Sequence, residues 1–471
     1  MLLTRAMNLF LFWGIWLLVP LLVDGLSAVA QLISIISGER SRRRRLLKEV
    51  RESGHRSPLG RRPGPTSLSQ SVLPPLDRFP LVTVIVPVHN SSQTVGSTLE
   101  SLARQTYPTE ALEIICVDNG STDDCFQVFS RFQERHPRLR LAWIPIERPG
   151  KAAALNAGIY SSAGVYIMGV DADVRLAPDA IYEMVRSFEF RPNLVAATGA
   201  IAVAPPRGDR GRLMALLHTC EAFEYLSAFG VGRRYQSHRN ALYTLSGAFS
   251  AFRREVLLES SYLFDNLTVS EDTKLTFDLR SRVYGRRPGA ALECVDSAVA
   301  FVHPIPSLAA LYSQRLRWQR GQVEVAALHS QEQAGLAGPF RSLSGRILLA
   351  DHTLAFPRLV WTFLLPFLFL VGYSPAVVLS ALAAMYLAYV FIECLFYLAC
   401  YHYTVGAGRR WLRKVAWVVL LMPLFRFMVY WFRLGGILHA VAEPQRWHTP
   451  PFRRGPARPE APVTPAARTG G

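Results

Sequence analysis

From about residue 80 to 325 the chain alternates short, uninterrupted apolar runs with helix-length segments of mixed polarity. "LVTVIVPVHN" (81–90), "LEIICVDNGS" (112–121), "RLAWIPIE" (140–147), "VYIMGVDAD" (165–173) and "LVAATGAIAV" (194–203) are such runs. Between them lie segments such as "STLESLARQTY" (97–107) and "DDCFQVFSRFQERH" (123–136). A strand apolar on both faces is covered on both sides, so the pattern predicts an α/β domain with a parallel sheet between two helical layers. Such sheets bind ligands at the carboxyl ends of their strands. Asn90, Asp118, Asn119, Asp171 and Asp173 close three of the runs and fall on that edge.

Outside this region the apolar stretches lengthen. Residues 8–36 exceed the roughly 20 residues that cross a bilayer. A secretory signal cleaved after Ala28-Val29-Ala30 is the rival reading. The apolar run continues past Ala30 and the arginine block follows it, so an uncleaved anchor with its C-terminal side in the cytoplasm is expected. Residues 37–79, rich in Arg, Ser, Pro and Gly, read as a basic flexible linker. The α/β domain at 80–325 is then cytoplasmic, 326–350 is an interfacial segment, and 351–442 holds two or three C-terminal transmembrane helices. Their apolar runs lie at 354–373, 375–400 and 415–441. The last carries Arg426 and Arg433 and could span, kink or lie in the interface. Residues 443–471 read as a disordered tail.

Charge sharpens this picture. The net charge of +17 invites a nucleic-acid reading, but much of it lies in "ERSRRRRLLKEVRESGHRSPLGRRPG" (39–64) and "GAGRRWLRK" (406–414). Basic runs beside apolar spans mark cytoplasmic membrane boundaries. Membrane lipids are therefore the expected partner and nucleic acid is not. The six cysteines show no metal-binding spacing and read as small hydrophobes in a reducing compartment.

Four stretches carry candidate chemistry. Asp171 and Asp173, two residues apart at a strand end, project to one side and suit Mg2+ or Mn2+; a plain turn explains them equally well. "RPGKAAALNAG" (148–158) offers Arg148, Lys151 and Asn156 to a diphosphate, or is an ordinary helix start. Glu271 and Asp272 in "VSEDTKLTFDL" (269–279) stand at a helix head, where acids also complement the helix dipole. "YSQRLRWQRG" (312–321), with Gln314, Arg315, Arg317 and Trp318, has helical character and could equally be an interfacial helix.

Together with "SGAFSAFRRE" (246–255), these motifs follow the order and spacing of membrane-bound family 2 glycosyltransferases, which the chain resembles across residues 80–325. The QxxRW element, Gln314 to Trp318, is similar to that of processive synthases of cellulose, chitin, hyaluronan and poly-N-acetylglucosamine. "SGAFSAFRRE" and "LYSQRLRWQRGQVEV" look still more like glycosyltransferases encoded beside exosortase-G systems.

The resemblance implies a GT-A nucleotide-sugar-binding domain, a mostly parallel mixed sheet with helices on both faces, plus transmembrane α-helices. It implies an inverting, metal-dependent hexosyltransferase in extracellular polysaccharide synthesis at the cytoplasmic membrane. The donor would be a nucleotide sugar, a UDP-hexose or UDP-N-acetylhexosamine, and the acceptor a β-linked glycan or a lipid-linked sugar. By the same resemblance Asp272, beside Glu271, is the general base. Asn90, Asp118, Lys151, Asp171, Gln314, Arg315 and Arg317 bind the nucleotide sugar, Asp171 and Asp173 the Mg2+ or Mn2+, and Trp318 the acceptor.

The chain departs from the pattern at His89, Ser91 and Asn119, which puts the nucleotide in question. No second-messenger-binding domain is expected after the last span. Two alternatives differ in outcome: transfer of a single sugar to a lipid carrier, and a non-catalytic scaffold recruiting envelope-assembly partner proteins. The QxxRW element speaks against the first, and the joint presence of Asp171, Asp173, Asp272 and Trp318 against the second.

Overall fold

The computed structural model describes residues 24–52, 73–147, 150–205, 211–259, 264, 268–332, 342–349, 367–404 and 406–442. Its centre is one eight-stranded sheet in the order β3-β2-β1-β4-β7-β6-β8-β5. The strands are β1 (Val82–Val88), β2 (Leu112–Asp118), β3 (Arg140–Pro145), β4 (Tyr166–Val170), β5 (Arg175–Leu176), β6 (Leu194–Val203), β7 (Phe249–Arg253) and β8 (Ala291–Val302). β3, β2, β1 and β4 run parallel; β7 is antiparallel to both β4 and β6, and β6 pairs parallel with β8.

All five apolar runs are strands, and successive residues of β1 serve opposite layers. Val82, Val84, Val86 and Val88 join a core with Phe129, Phe132 and Phe188. Ile85 joins the other, with Ile115, Ile167, Leu155 and Leu275. Helices cover both faces in chain order: α1 (Leu26–Glu52), α2 (Val95–Ala103), α3 (Cys125–Arg135), α4 (Lys151–Ser161), α5 (Ala180–Glu189), α6 (Gly211–Tyr225), α7 (Arg233–His238), α8 (Arg254–Glu259) and α9 (Glu271–Arg286). Then come α10 (Leu308–Glu332), α11 (Leu343–Leu348), α12 (Pro375–Tyr403), α13 (Gly406–Lys414) and α14 (Val418–Ala442).

Two boundaries differ from the sequence reading. The basic stretch placed in a flexible linker is helical as far as Glu52, because α1 runs unbroken from Leu26. Arginine, lysine, leucine and glutamate are good helix formers, and Arg42 is buried in an ion pair with Glu293 at 3.3 Å. The domain also begins before residue 80: Leu73 and Leu76 are buried in its core. Of the segment expected at the interface, residues 326–332 continue α10, and Leu348 packs with Phe277 and Val325.

α12 and α14 are long and apolar enough to cross a membrane, with mean hydropathies of 2.1 and 1.5. Buried residues of α6, α12, α13 and α14, together with Ile35 and Leu311, share one apolar cluster, which joins these helices to the sheet domain. The start of the N-terminal apolar run, most of the run at 354–373 and the tail lie outside the described residues.

Candidate active site

The carboxyl ends of β1, β2 and β4 converge as the strand pattern requires. β4 delivers Asp171, and α4 begins with Lys151 after Gly150, whose N–H donates to the Asn119 side-chain oxygen. The Lys151 Nζ lies 2.7 Å from Asp171 Oδ1 and 3.3 Å from Glu271 Oε1. Beside them, Asp272 accepts the Gly247 N–H on Oδ2 at 3.0 Å and the Thr273 N–H on Oδ1 at 2.7 Å. Lys151, Asp171, Glu271 and Asp272, drawn from three distant parts of the chain, therefore form one cluster.

Electrostatics in the cluster follow from crowding. Burial alone would lower the pKa of Lys151, but Asp171 and Glu271 outweigh it and hold the ammonium well above its ordinary value. Burial raises the Glu271 carboxyl, the neighbouring Asp272 adds to this, and Lys151 opposes it. The Asp173 carboxyl is likewise raised, first by partial desolvation in the crevice and then by Asp171, although its rim stays exposed.

Gly247 lies over this cluster. A Cβ built on it would sit 3.1 Å from Lys151 Nζ, 3.6 Å from Asp272 Oδ2 and 3.9 Å from Asp171 Oδ2. The absent side chain keeps the approach to the carboxylates open. The two residues before it are pinned: Leu245 N–H donates to Thr276 Oγ1 at 2.8 Å, and Ser246 N–H to Thr198 Oγ1 at 3.2 Å.

The other expected residues are placed differently. Trp318 packs against the apolar cluster that includes Ala172 and Val174, the neighbours of Asp173, with its ring 6.3 Å from that of Tyr225. Arg315, expected at a pyrophosphate, is buried instead. It pairs with Glu224 at 2.5 Å and lays its guanidinium over the Trp318 ring at 4.5 Å. The guanidinium is thus held by a buried carboxylate and an indole face, while its Nε has no hydrogen-bond partner in the protein.

Arg317 is exposed, and Gln314 has a buried, unpartnered Oε1. Asn90 and Asp118 shape the loop after β2: Asn90 Oδ1 accepts the Thr122 N–H, and Asp118 Oδ1 the Ser121 N–H, each at 2.8 Å. Asn90 adopts φ 47°, which Asn tolerates better than most residues. Arg148 lies outside the described residues.

Among the described residues no group of three or more His, Cys, Asp or Glu side chains could hold a metal unaided. Asp171 and the exposed Asp173 supply two carboxylates at the crevice. That donor set fits an ion such as Mg2+ or Mn2+, which takes one or two carboxylates and completes its shell from phosphate and water.

The sequence reading missed the joint between α9 and α10. Gly321 lets α10 touch Ser270, the residue preceding α9; a Cβ there would fall 2.0 Å from Ser270 Oγ. Gln322 donates to Thr273 at 3.1 Å, while Glu324 accepts from the Thr268 hydroxyl and the Val269 N–H. Contacts from three residues within about one turn of α10 thus fix the Trp318 helix beside the Glu271-Asp272 pair. No sequence signal marks them, since each partner is a common polar residue about 50 positions away.

Residues 83–260 match the family "Glycosyl transferase family 2". The chain is similar to poly-β-1,6-N-acetyl-D-glucosamine synthase of Staphylococcus epidermidis, 29% identical over 244 residues, covering 52% of this chain and 55% of that protein. The synthase of the same name from Staphylococcus aureus strain COL is 28% identical over 251 residues, covering 53% and 56%. The chain spans about half the length of these curated relatives. A mannosyltransferase from Pyrobaculum calidifontis, solved in complex with GDP-Man and Mn2+, superimposes with a TM-score of 0.51 at 20% identity, covering 88% of this chain and 98% of that one. At that identity the likeness shows the fold, a GT-A-like mixed sheet with helices on both faces.

Proposed function

We propose, from the family 2 glycosyl transferase domain at residues 83–260, that this protein is an inverting glycosyltransferase of the membrane. It moves a hexose or N-acetylhexosamine from a nucleotide sugar, a UDP sugar first among them, onto a growing β-linked glycan. The observation that carries the reading is the cluster in which Asp272, held by two backbone N–H groups, stands beside the Lys151–Asp171–Glu271 ion pairs at the carboxyl end of β4.

In this reading Asp272 takes the proton of the acceptor hydroxyl as that oxygen attacks the anomeric carbon from the face opposite the diphosphate. The carbon–oxygen bond to the nucleoside diphosphate breaks, and the configuration inverts. A glycosidase would need two carboxylates flanking one bond, whereas in this reading Asp171 and Asp173 serve the diphosphate side and Asp272 alone serves the acceptor hydroxyl. Asp171 and Asp173 would hold Mg2+ or Mn2+, which when bound neutralises charge on the leaving diphosphate. Lys151 and the exposed Arg317 add positive charge to the same group, with Gln314 as a hydrogen-bonding neighbour. Asn90 and Asp118 meet the nucleoside through the loop they shape, and Trp318 supports the acceptor sugar.

The relatives' name favours N-acetylglucosamine as the unit and a polymer as the product. α12 and α14 are read as membrane spans, alongside the N-terminal apolar run, with the catalytic domain on the cytoplasmic side where nucleotide sugars are made. The kinship with exosortase-G-associated enzymes belongs to this reading too, on the motifs alone.

The test is a donor panel. Purified full-length protein is given UDP-glucose, UDP-N-acetylglucosamine or GDP-mannose with Mg2+ or Mn2+, and products are read by mass. A ladder of sugar additions from one donor is expected. Absence of both transfer and donor hydrolysis across the panel refutes the proposal.

A further inference from the structure

The fold gathers two basic segments, some 360 residues apart in the chain, at one end of the apolar helices. α1 and α12 lie side by side and parallel: Tyr389 Oη meets Asp24 at 3.0 Å, and Tyr403 Oη meets Glu39 at 3.5 Å. These contacts lie fifteen residues apart on the α1 side (39 − 24) and fourteen on α12 (403 − 389), so the two helices advance together. Below that level both expose large apolar side chains, Leu26, Ile33 and Ile36 on one and Leu379, Leu387, Phe391 and Leu398 on the other.

Above it the character changes within about one turn. α1 continues with Arg42 through Arg45, burying Arg42 against Glu293 and giving an Arg45 hydrogen bond to the His238 carbonyl. α13 folds back along the last turns of α12, where Leu412 carbonyl accepts from Tyr397 Oη at 3.0 Å and Arg413 donates to Tyr401 Oη at 2.8 Å. Leu412 is buried, while Arg410, Arg413 and Lys414 are exposed, as are Arg44, Arg45 and Lys48 on α1. Trp411 is half-buried and Trp417 exposed at the same level, the depth that tryptophan favours at membrane–water boundaries.

We propose that Arg44, Lys48, Arg410, Arg413 and Lys414 form one docking surface for anionic phospholipid headgroups in the leaflet facing the catalytic domain. This rests on the membrane reading of α12 and α14 given above, and not on the sugar chemistry. Exposed apolar side chains on both helices end where the exposed cations begin, so a bilayer covering the first necessarily brings its headgroups to the second. Each cation near an anionic surface adds to the attraction, so the group selects charged over zwitterionic lipid.

The experiment uses full-length protein in mixed micelles of phosphatidylglycerol and phosphatidylcholine, with retained lipids counted by native mass spectrometry. The wild type is expected to retain phosphatidylglycerol about tenfold or more over phosphatidylcholine. R410Q/R413Q/K414Q is expected to bring the two near parity, and R44Q/R410Q, which removes no hydrogen bond described here, to lose part of the preference. R131Q/R138Q/R140Q, the same charge change on the far side of the domain, is expected to leave it intact. Equal retention of both lipids by the wild type, or equal loss in the control, overturns the proposal. So does saturable binding of inorganic phosphate to lipid-free protein that R410Q abolishes, which marks a soluble-anion site. Because no donor is turned over, this outcome is independent of whether the glycosyltransfer reading holds.

Discussion

Replacing Lys151 by methionine removes the one ammonium in contact with the Asp171 and Glu271 carboxylates while keeping the length of the side chain. Breaking a fully buried pair costs about 3–5 kcal/mol, and an exposed one less than about 1 kcal/mol. The three side chains retain 22%, 28% and 10% exposure, so the cost falls between these limits, about 2 kcal/mol. Urea unfolding in detergent, followed by tryptophan fluorescence, reads this as a lower midpoint at unchanged slope.

A divalent cation should substitute electrostatically for the lost ammonium. Addition of Mn2+ without nucleotide is therefore expected to raise the K151M midpoint more than that of the wild type, by the mass-action stabilisation of any folded-state ligand. Donor turnover by K151M is expected to fall at least tenfold. Equal stability of the two proteins without metal, or a larger Mn2+ effect on the wild type, would refute the reasoning that Lys151 neutralises this cluster.

Three further outcomes follow from the same geometry. G247A adds a Cβ 3.1 Å from Lys151 Nζ, which a flexible side chain can accommodate. A melting scan should therefore show a loss under about 1 kcal/mol, while kcat/KM falls about 10- to 100-fold because the crevice is obstructed. Burial pushes the Glu221 carboxyl up to about 7, so the folded state favours its protonated form. That contribution is complete below the unfolded value near 4.5 and fades as pH rises through about 7. E221Q should therefore match the wild type only at about pH 4 and below, and exceed it by up to roughly 3 kcal/mol at pH 8 in urea titrations. E224Q releases Arg315 from behind Trp318 and is expected to raise the acceptor KM several-fold with little change in donor KM, measured by initial rates.

The sheet was legible where apolar runs were pure. β1 to β4 and β6 carry no interior charge except Glu113 on β2 and read directly as doubly covered strands. β8 escaped because Glu293 and Asp296 interrupt it. These are buried against Arg191 at 2.6 Å and Arg234 at 2.5 Å, partners the local pattern cannot supply. For the same reason the arginines of α1 read as linker composition: Arg42 finds Glu293 across 251 positions.

Among the candidate site residues, the carboxylate pairs at element ends supplied Asp171, Glu271 and Asp272, which the fold gathers around Lys151. Spacing within a motif does not reveal that Arg315 pairs with Glu224, 91 positions away. Gly247 and Gly321 matter for the atoms their missing side chains would strike, which only the folded arrangement displays.

The central claim is that Asp272 takes the acceptor's proton in a crevice that binds the donor without it. Release of nucleoside diphosphate from the preferred donor, measured for wild type and D272N alongside donor binding by calorimetry, tests this most directly. The account predicts binding within about threefold of the wild type and a turnover lower by at least 10²-fold. D272N that turns over at the wild-type rate would contradict it.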